Sequence, residues 1–303
     1  MNQIVECVPN ISEGRDRQVI ESFIELIQGE SEVHLLDHHS DVDHHRTVFT
    51  IAGRPDAMRK VAYELVRRSI ELIDLSKHRG VHPRVGSVDV VPFVPIRGIS
   101  MEDCVELARQ LGARIGSELA MPVFLYGQAS FRGTPRRLEQ IRQGGWSSLS
   151  ERMRLRPEWI PDFGPARLHS KAGAVAVGAR DYLIAYNVLL QTADVAIAQD
   201  IARAIRTSGG GLPSVKALGL ELKSRGLTQV SMNLTNYRET SLNDVYRAIH
   251  EKTQYFGVDI EESELVGLVP QAALPPEWII PLKFKHWNPD QILEARLAQV
   301  GRM

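Results

Sequence analysis

The chain has 303 residues, with 36 lysines and arginines against 37 aspartates and glutamates, so its formal charge at pH 7 is −1. This balance excludes the strong positive field by which many proteins bind nucleic acid or anionic membranes. A composition of 43% hydrophobic and 24% charged residues is typical of a globular protein with a sizeable core, not of a disordered chain.

The N-terminal residues and the cysteines indicate the compartment. No basic segment followed by an apolar core opens the sequence, so we expect no secretory signal. The uncharged stretch 182–193 is shorter than the ~20 residues that span a bilayer. Cys7 and Cys104 lie far apart in the sequence, and we predict that both are reduced core thiols. The sequence therefore predicts a cytoplasmic protein.

Short apolar runs alternate with helical patterns in the first half of the chain. Ser100 followed by Asp103 predicts the N-terminal cap of one helix, and Pro55 opens another. The predicted strands are 4–8, 33–37, 46–52, 88–94 and 122–126, and the predicted helices are 16–27, 55–69 and 101–117. Interleaving of this kind predicts a mixed sheet that helices cover on one face.

The second half repeats this α/β style after a segment, 127–165, that is rich in arginine, glycine, proline and tryptophan. Ser241 and Asp244 predict a capping box, and Asn288 predicts the cap of a final helix. The predicted strands are 172–177, 183–190, 216–222, 229–234 and 258–267, and the predicted helices are 193–206, one that begins after Ser241, and 289–300. We expect an α/β (α+β) fold with two subdomains, 1–180 and 181–303.

Seven of the ten histidines fall between His34 and His82, and residues 37–45 hold four of them together with three aspartates. Imidazole and carboxylate ligands suit Zn²⁺ or Mn²⁺. Adjacent histidines such as His38 and His39 point to opposite faces of an extended segment, however, so they do not easily share one ion. The pattern favours a polar loop that faces a substrate, and a solvated loop remains open as an alternative.

A second candidate site surrounds His82. Pro83 moves His82 into an extended conformation, and the nearby glycines allow backbone to approach a ligand closely. A histidine held in this way could move protons near neutral pH, Arg84 could bind a carboxylate, and Asp89 could orient the imidazole. A histidine–proline turn with a structural hydrogen bond is equally open.

Two further patterns have ordinary explanations. Glycines 209–211 lack the lysine and hydroxyl residue of a phosphate loop, so a helix cap or a hinge is the better interpretation. Seven arginines occur between residues 132 and 156. Their spacing favours a solvated helical face, and they could also attract a polyanionic tail.

Long strings of this sequence resemble the glutamate formimidoyltransferase family. They are VECVPNISEG (5–14), KHRGVHPRVG (77–86), DVVPFVPIRG (89–98), DFGP (162–165), VGAR with LIAYN (177–180 and 183–187) and LVGLVP (265–270). The resemblance covers nearly the whole chain and includes the formiminotransferase domain of formiminotransferase-cyclodeaminase. It implies two ferredoxin-like subdomains, each a mixed sheet covered by helices.

The resemblance implies transfer of a formimidoyl group from N-formimidoyl-L-glutamate to N5 of tetrahydrofolate in histidine degradation. His82 would be the catalytic histidine, with Asp89 or Asp37 orienting it, and Arg46, Arg84 and Arg180 are candidate clamps for substrate carboxylates. The implied folate-binding segment consists of Gly164, Pro165, Ala166, Arg167, Leu168, His169, Ser170, Lys171, Ala172 and Gly173. Tetrahydrofolate would be a co-substrate, and no metal is required.

The sequence departs from the family pattern at a few positions. His39 replaces a small or acidic residue, His45 and Leu189 stand where asparagine is expected, and the pair Lys171 and Ala172 lacks the aromatic residue of vertebrate members. These changes bear on substrate recognition more than on His82.

The expected partners are the two small-molecule substrates, folate and formimidoylglutamate, without nucleic acid or membrane, and a homodimer is expected from the family. Three alternatives remain. They are a glutamate formyltransferase that uses formylated tetrahydrofolate, a folate-binding protein without catalysis, and a metal-dependent hydrolase. The last would be built on four histidines: His38, His39, His44 and His45.

Overall fold

The computed structural model describes residues 3–42, 44–79, 83–131, 136–222, 225–274, 282–285 and 287–300. The chain divides into two compact units, Met1–Arg180 and Asp181–Met303. Each unit has its own sheet and its own hydrophobic core.

The first unit begins with a strand–helix–strand–strand–helix–strand sequence and adds two further strands. Its described strands are β1 (Ile4–Cys7), β2 (Asn10–Ile11), β3 (Val33–Asp41), β4 (Arg46–Gly53), β5 (Val88–Arg97), β6 (Val123–Gly127) and β7 (Val175–Ala179). Its helices are α1 (Arg17–Gln28), α2 (Pro55–Leu72), α3 (Met101–Glu118), α4 (Leu138–Arg142) and α5 (Gly145–Leu155).

These strands form one mixed sheet of seven strands among the described residues. β3 pairs with β4, β4 with β1 and β1 with β5, all antiparallel, and β2 lies between β4 and β5. β7 and β6 extend the sheet beyond β5 in parallel. The order of β3, β4, β1 and β5 is the ferredoxin-like arrangement, to which β6 and β7 add a parallel extension.

Helices α1, α2 and α3 cover one face of this sheet. Cys7, Phe49, Ile51 and Phe93 point into that core from three strands, and all four are fully buried. On the opposite face, α4 and α5 pack only against the β5, β6 and β7 end, through a smaller cluster that includes Phe124. Because side chains alternate along a strand, the β4 residues that face away from the α1–α3 core are Arg46, Val48 and Thr50.

The second unit repeats the strand–helix–strand–strand–helix–strand order and ends in a helix. Its elements are β8 (Ile184–Leu190), α6 (Val195–Ile205), β9 (Val215–Leu222), β10 (Leu227–Leu234), α7 (Leu242–Phe256), β11 (Ile260–Val266) and α8 (Leu293–Val300). The sheet order is β11-β8-β10-β9, and all of its pairs are antiparallel. This is the ferredoxin-like order without the extension of the first unit.

The α/β fold class with two helix-covered sheets is confirmed, with one correction. The second sheet is antiparallel and not mixed, because in the order β11-β8-β10-β9 strands that run in the same direction are never neighbours. The predicted cap at Ser100 and the predicted capping box of Ser241 with Asp244 are both present, and Ser100 forms a capping box with Asp103 as well. None of the described helices combines the length and the apolar character that a membrane crossing needs.

Three local predictions differ from the structure. Helices α4 and α5 were not predicted, because α4 has only five residues and α5 begins at a pair of glycines with positive φ, Gly144 and Gly145. The histidine-rich segment was predicted as a loop, but its first part continues β3 to Asp41 through pairing with β4. The last helix is a 3-10 turn, Pro289–Gln291, followed by α8.

Candidate functional site

The first and second family strings meet in the first unit. Ser12 donates from its backbone N–H to the Ser87 carbonyl and from its hydroxyl to the Gly86 carbonyl, both at 2.7 Å. On its other side the same segment contacts β4, where the Thr47 hydroxyl donates to the Glu13 carbonyl at 2.6 Å. Residues 10–14 therefore join the turn between β3 and β4 to the loop that follows Arg84.

The turn between β3 and β4 places His45 in a left-handed conformation, with φ of 51°. The backbone N–H of Gly14 donates to Nδ1 of His45 at 3.2 Å, and that nitrogen lies 3.4 Å from a carboxylate oxygen of Glu13. Asparagine and histidine both tolerate this conformation better than most residues. The backbone therefore explains why this chain can carry histidine where the family pattern has asparagine.

His78 and Arg84 bind the same turn from the opposite side. Nε2 of His78 lies 2.9 Å from the His45 carbonyl, and Nη2 of Arg84 donates to the His44 carbonyl at 3.0 Å. Nη1 of Arg84 contacts Nδ1 of the His78 ring and lies 2.6 Å from its Nε2. The His45 and His78 rings lie 4.1 Å apart between centroids. Histidine rings and a guanidinium thus form one cluster with a backbone turn.

Burial controls the charge of this cluster. It lowers the pKa of His78 to about 4, with smaller contributions from the charges of Arg84 and His45. Burial also lowers the pKa of His45 and that of Arg84. The His78 imidazole is therefore neutral at pH 7, beside the Arg84 guanidinium.

The free energy of unfolding should fall as the pH drops from 7 toward 4. The pKa of His78 has its ordinary value of 6.5 in the unfolded chain but about 4 in the folded protein, so between these values the unfolded chain binds the proton more readily. The contribution of the neutral His78 ring to the free energy of unfolding is therefore complete above pH 6.5 and decreases as the pH falls below that value. Its upper limit is about 3 kcal/mol, and solvent screening of the half-buried ring reduces it. Urea unfolding at pH 7 and pH 5 measures the loss. The His78→Gln protein has no titrating ring at this position, so it should lose less stability between pH 7 and pH 5 than the wild-type protein. Equal losses in the two proteins would contradict a neutral, buried His78.

Asp89 is held between a loop and a helix. Its side chain is 2% exposed, Oδ1 accepts from the Val85 N–H at 2.7 Å, and Oδ2 accepts from Nε of Arg142 at 2.7 Å. Nη2 of Arg142 lies 2.5 Å from the same oxygen. Asp89 therefore connects the loop after Arg84 to α4, and both of its oxygens already accept hydrogen bonds.

Four arginines of this unit act electrostatically on one another or on a shared neighbour, and we call them the arginine cluster: Arg46, Arg84, Arg142 and Arg180. Burial lowers the pKa of Arg46, the charges of Arg142 and Arg84 lower it further, and Asp89 and Asp41 oppose this effect. Burial raises the pKa of Tyr126 to about 12, whereas the charges of Arg180 and Arg142 lower it. The positive charge of these arginines favours an anionic ligand in this region.

The implied folate-binding segment, 164–173, adjoins the loop after Arg84. Ser87 N–H donates to the Ala172 carbonyl at 2.9 Å, and Leu75 N–H donates to the Lys171 carbonyl at 2.9 Å. A Cβ on Gly173 would lie 2.2 Å from the Val85 carbonyl oxygen, so a side chain there would push the segments apart. The structure thus brings this segment and Arg84 into one region.

The arginine-rich stretch is not a solvated face throughout. Arg136 is 6% exposed and donates to Asp162 at 2.7 Å, and Arg142 pairs with Asp89. Arg152 donates to three backbone carbonyls at residues 140–143. The prediction of a solvated face is therefore wrong for these three residues, because buried carboxylates and helix-end carbonyls bind them. Arg142 belongs to the candidate site, and no local signal in the sequence distinguished it from the other arginines of the stretch.

Other predicted residues lie further away or outside the described residues. In the register between β3 and β4, Asp37 lies opposite Thr50, whereas Arg46 lies opposite Asp41. At ~3.4 Å per residue, the four-residue separation of Thr50 and Arg46 along β4 corresponds to about 13 Å. His38 is exposed on β3 and stacks on Phe49 at 6.4 Å. His82 lies outside the described residues.

A cavity of about 180 Å³ opens beside the histidine–arginine cluster. Its lining includes Leu75, His78, Arg84 and the first residues of α5, among them Trp146 and Ser147. A single water needs only ~10–15 Å³ on this measure, so the cavity has room for a larger group. Among the residues that the structure describes, no three histidine, cysteine or acidic side chains are grouped as metal ligands would be.

Comparison with known proteins identifies the family of these motifs. The family model for the formiminotransferase domain, N-terminal subdomain, matches residues 4–180, and that for the formiminotransferase domain matches residues 185–276. A glutamate formimidoyltransferase of Thermoplasma acidophilum is 42% identical over 301 residues, which cover 99% of both chains. One of Streptococcus pyogenes is 42% identical over 274 residues, 90% of this chain and 91% of that protein.

The chain is also 41% identical to the formimidoyltransferase-cyclodeaminase of Dictyostelium discoideum, over 90% of this chain and 52% of that protein. A solved structure from Galdieria sulphuraria aligns with 87% of this chain and 98% of its own at 9% identity and a TM-score of 0.25, which supports no structural argument. The family models and the relatives that align along most of both chains show that this protein belongs to the formiminotransferase family.

Proposed function

We propose that this protein is a glutamate formimidoyltransferase. It transfers the formimidoyl group of N-formimidoyl-L-glutamate to N5 of tetrahydrofolate and releases 5-formimidoyltetrahydrofolate and L-glutamate, a reaction of histidine degradation. The observation that carries the proposal is 42% identity, over 99% of both chains, to a relative of that name. The arginine cluster supports it, because both substrates are carboxylic acids.

The reaction requires two proton movements. N5 of tetrahydrofolate attacks the formimidoyl carbon and forms a tetrahedral intermediate, and N5 then loses its proton. The bond from that carbon to the glutamate nitrogen breaks, and this nitrogen gains a proton. We propose that His82 receives the first proton and delivers the second, as its place in the KHRGVHPRVG string implies. A group with a pKa near 6.5 is suited to both transfers at neutral pH.

The remaining acceleration would come from holding the two substrates together. We propose that Arg46, Arg84 and Arg180 bind substrate carboxylates and that residues 164–173 bind the folate. The hydrogen bonds between residues 171–172 and the loops at 75 and 87 support this, because they place the folate segment beside Arg84. Asp89 and Asp37 remain the proposed orienting carboxylates for His82. We also propose a cytoplasmic homodimer that needs no metal.

Initial rates with two donors test the proposed reaction. The purified protein should convert N-formimidoyl-L-glutamate in the presence of tetrahydrofolate, and a chelator should leave the rate unchanged. Formylated tetrahydrofolate should transfer its formyl group to L-glutamate far more slowly under the same conditions. Faster transfer from formylated tetrahydrofolate would instead assign a glutamate formyltransferase, and loss of activity with the chelator would assign a metal-dependent enzyme.

A further inference from the structure

We propose that His78 is the positioning residue for Arg84. Its ring, with the proton on Nε2, joins the guanidinium to the turn at residues 44–45 and so orients Arg84 toward the adjacent cavity, where it binds a carboxylate of the glutamyl donor. This inference rests on the proposed function and deepens it by assigning one subsite.

The hydrogen bonds of His78 determine which ring nitrogen carries the proton. Nε2 lies 2.9 Å from the His45 carbonyl oxygen, which can only accept a hydrogen bond, so Nε2 must donate. Nη1 of Arg84, which can only donate, contacts Nδ1 and also lies 2.6 Å from Nε2. Because Nε2 donates to the carbonyl, Nδ1 is the ring nitrogen that can accept from Nη1. A neutral ring with its proton on Nε2 therefore satisfies both the carbonyl and the guanidinium.

The same contacts hold the guanidinium at two points. Nη1 of Arg84 contacts the His78 ring, and Nη2 donates to the His44 carbonyl at 3.0 Å. His78 in turn is attached to the next carbonyl of that turn, at His45. The turn, the imidazole and the guanidinium therefore close a ring of hydrogen bonds. Loss of the imidazole would leave Arg84 with one fewer contact and more rotational freedom.

The setting of Arg84 favours an anion. The residue is 8% exposed and lines the cavity of about 180 Å³ together with His78. Asp89 attracts the guanidinium, while Arg15 repels it. The planar donors of a guanidinium match the two oxygens of a carboxylate. A carboxylate of the glutamyl donor is the anion of this shape that the proposed reaction supplies.

Two substitutions separate positioning from catalysis. His78→Leu removes both hydrogen bonds, and it should raise the KM for N-formimidoyl-L-glutamate about tenfold or more while the KM for tetrahydrofolate and kcat change less than about threefold. His78→Gln retains an acceptor and a donor in its side-chain amide group, so its KM for N-formimidoyl-L-glutamate should stay within about threefold of the wild-type value. His250→Leu, an exposed position in the second unit, is the control and should change neither KM.

Calorimetric binding of L-glutamate to the full-length protein provides a readout that does not need turnover. His78→Leu should weaken this binding about tenfold, and His78→Gln should retain most of it. An unchanged KM and an unchanged Kd in His78→Leu, or equal loss in both variants, would overturn the positioning role. If the wild-type protein fails to transfer a formimidoyl group but His78→Leu still weakens glutamate binding, the proposed function is wrong and the positioning role stands.

Discussion

Replacing His82 with alanine is expected to lower kcat by about 10²-fold or more, with a smaller effect on either KM. In the proposed reaction one imidazole takes the proton from N5 and returns a proton to the departing glutamate nitrogen. Alanine can do neither, so both proton transfers fall to water. Steady-state rates over a range of each substrate separate the loss of kcat from any change of KM.

The control for this substitution is His250→Ala, because His250 is an exposed histidine in the second unit. It should have wild-type kinetics. The wild-type rate should also fall at acidic pH, where protonated imidazole cannot accept a proton, and this limb should be absent from the residual activity of His82→Ala. A His82→Ala protein with wild-type kcat and the same pH profile would show that another group moves the protons.

Replacing Asp162 with alanine is expected to lower the free energy of unfolding by about 3–5 kcal/mol, more than any other of the proposed substitutions. Asp162 Oδ2 accepts from Arg136 Nη1 and from the Leu125 N–H, each at 2.7 Å, and the two side chains are 8% and 5% exposed. The guanidinium also lies 5.2 Å from the Phe124 ring centroid. Alanine would leave a buried positive charge without its carboxylate and would break a contact to β6.

The matched control for this pair is exposed. Asp200 accepts from Arg203 at 2.7 Å on α6, where the side chains are 49% and 63% exposed. Asp200→Ala should therefore cost less than about 1 kcal/mol. Urea unfolding of the full-length variants measures both changes. Similarly small losses for Asp162→Ala and Asp200→Ala would show that burial does not strengthen the contribution of the Asp162–Arg136 ion pair to stability.

The regular elements were predictable because their signals are local. The capping serines at 100 and 241 marked helix starts, and the β-branched residues of 46–52 marked β4, which the structure extends by one residue to Gly53. The extension of β3 through His38 and His39 was not predictable, because pairing with β4 stabilises those residues against their polar character. Helices α4 and α5 were missed because α4 has only five residues and α5 begins at a pair of glycines.

The candidate site was predicted only in part. Arg46, Arg84 and Arg180 were named from residue type and motif. In the structure the charges of Arg84 and Arg142 act on Arg46, and those of Arg180 and Arg142 act on Tyr126. Arg142 could not be selected, since nothing local distinguishes it from the other arginines of its stretch. The contacts of His45 and His78 were also hidden, because they depend on a turn with positive φ that meets a loop from a distant part of the chain.

Stoichiometry is the most direct test of the central claim that this chain transfers a formimidoyl group between two substrates. In a single reaction, L-glutamate and 5-formimidoyltetrahydrofolate would be quantified together while each substrate in turn is omitted. The account predicts equal amounts of the two products and no glutamate release without tetrahydrofolate. Glutamate release that is independent of tetrahydrofolate, or no release when both substrates are present, would contradict it.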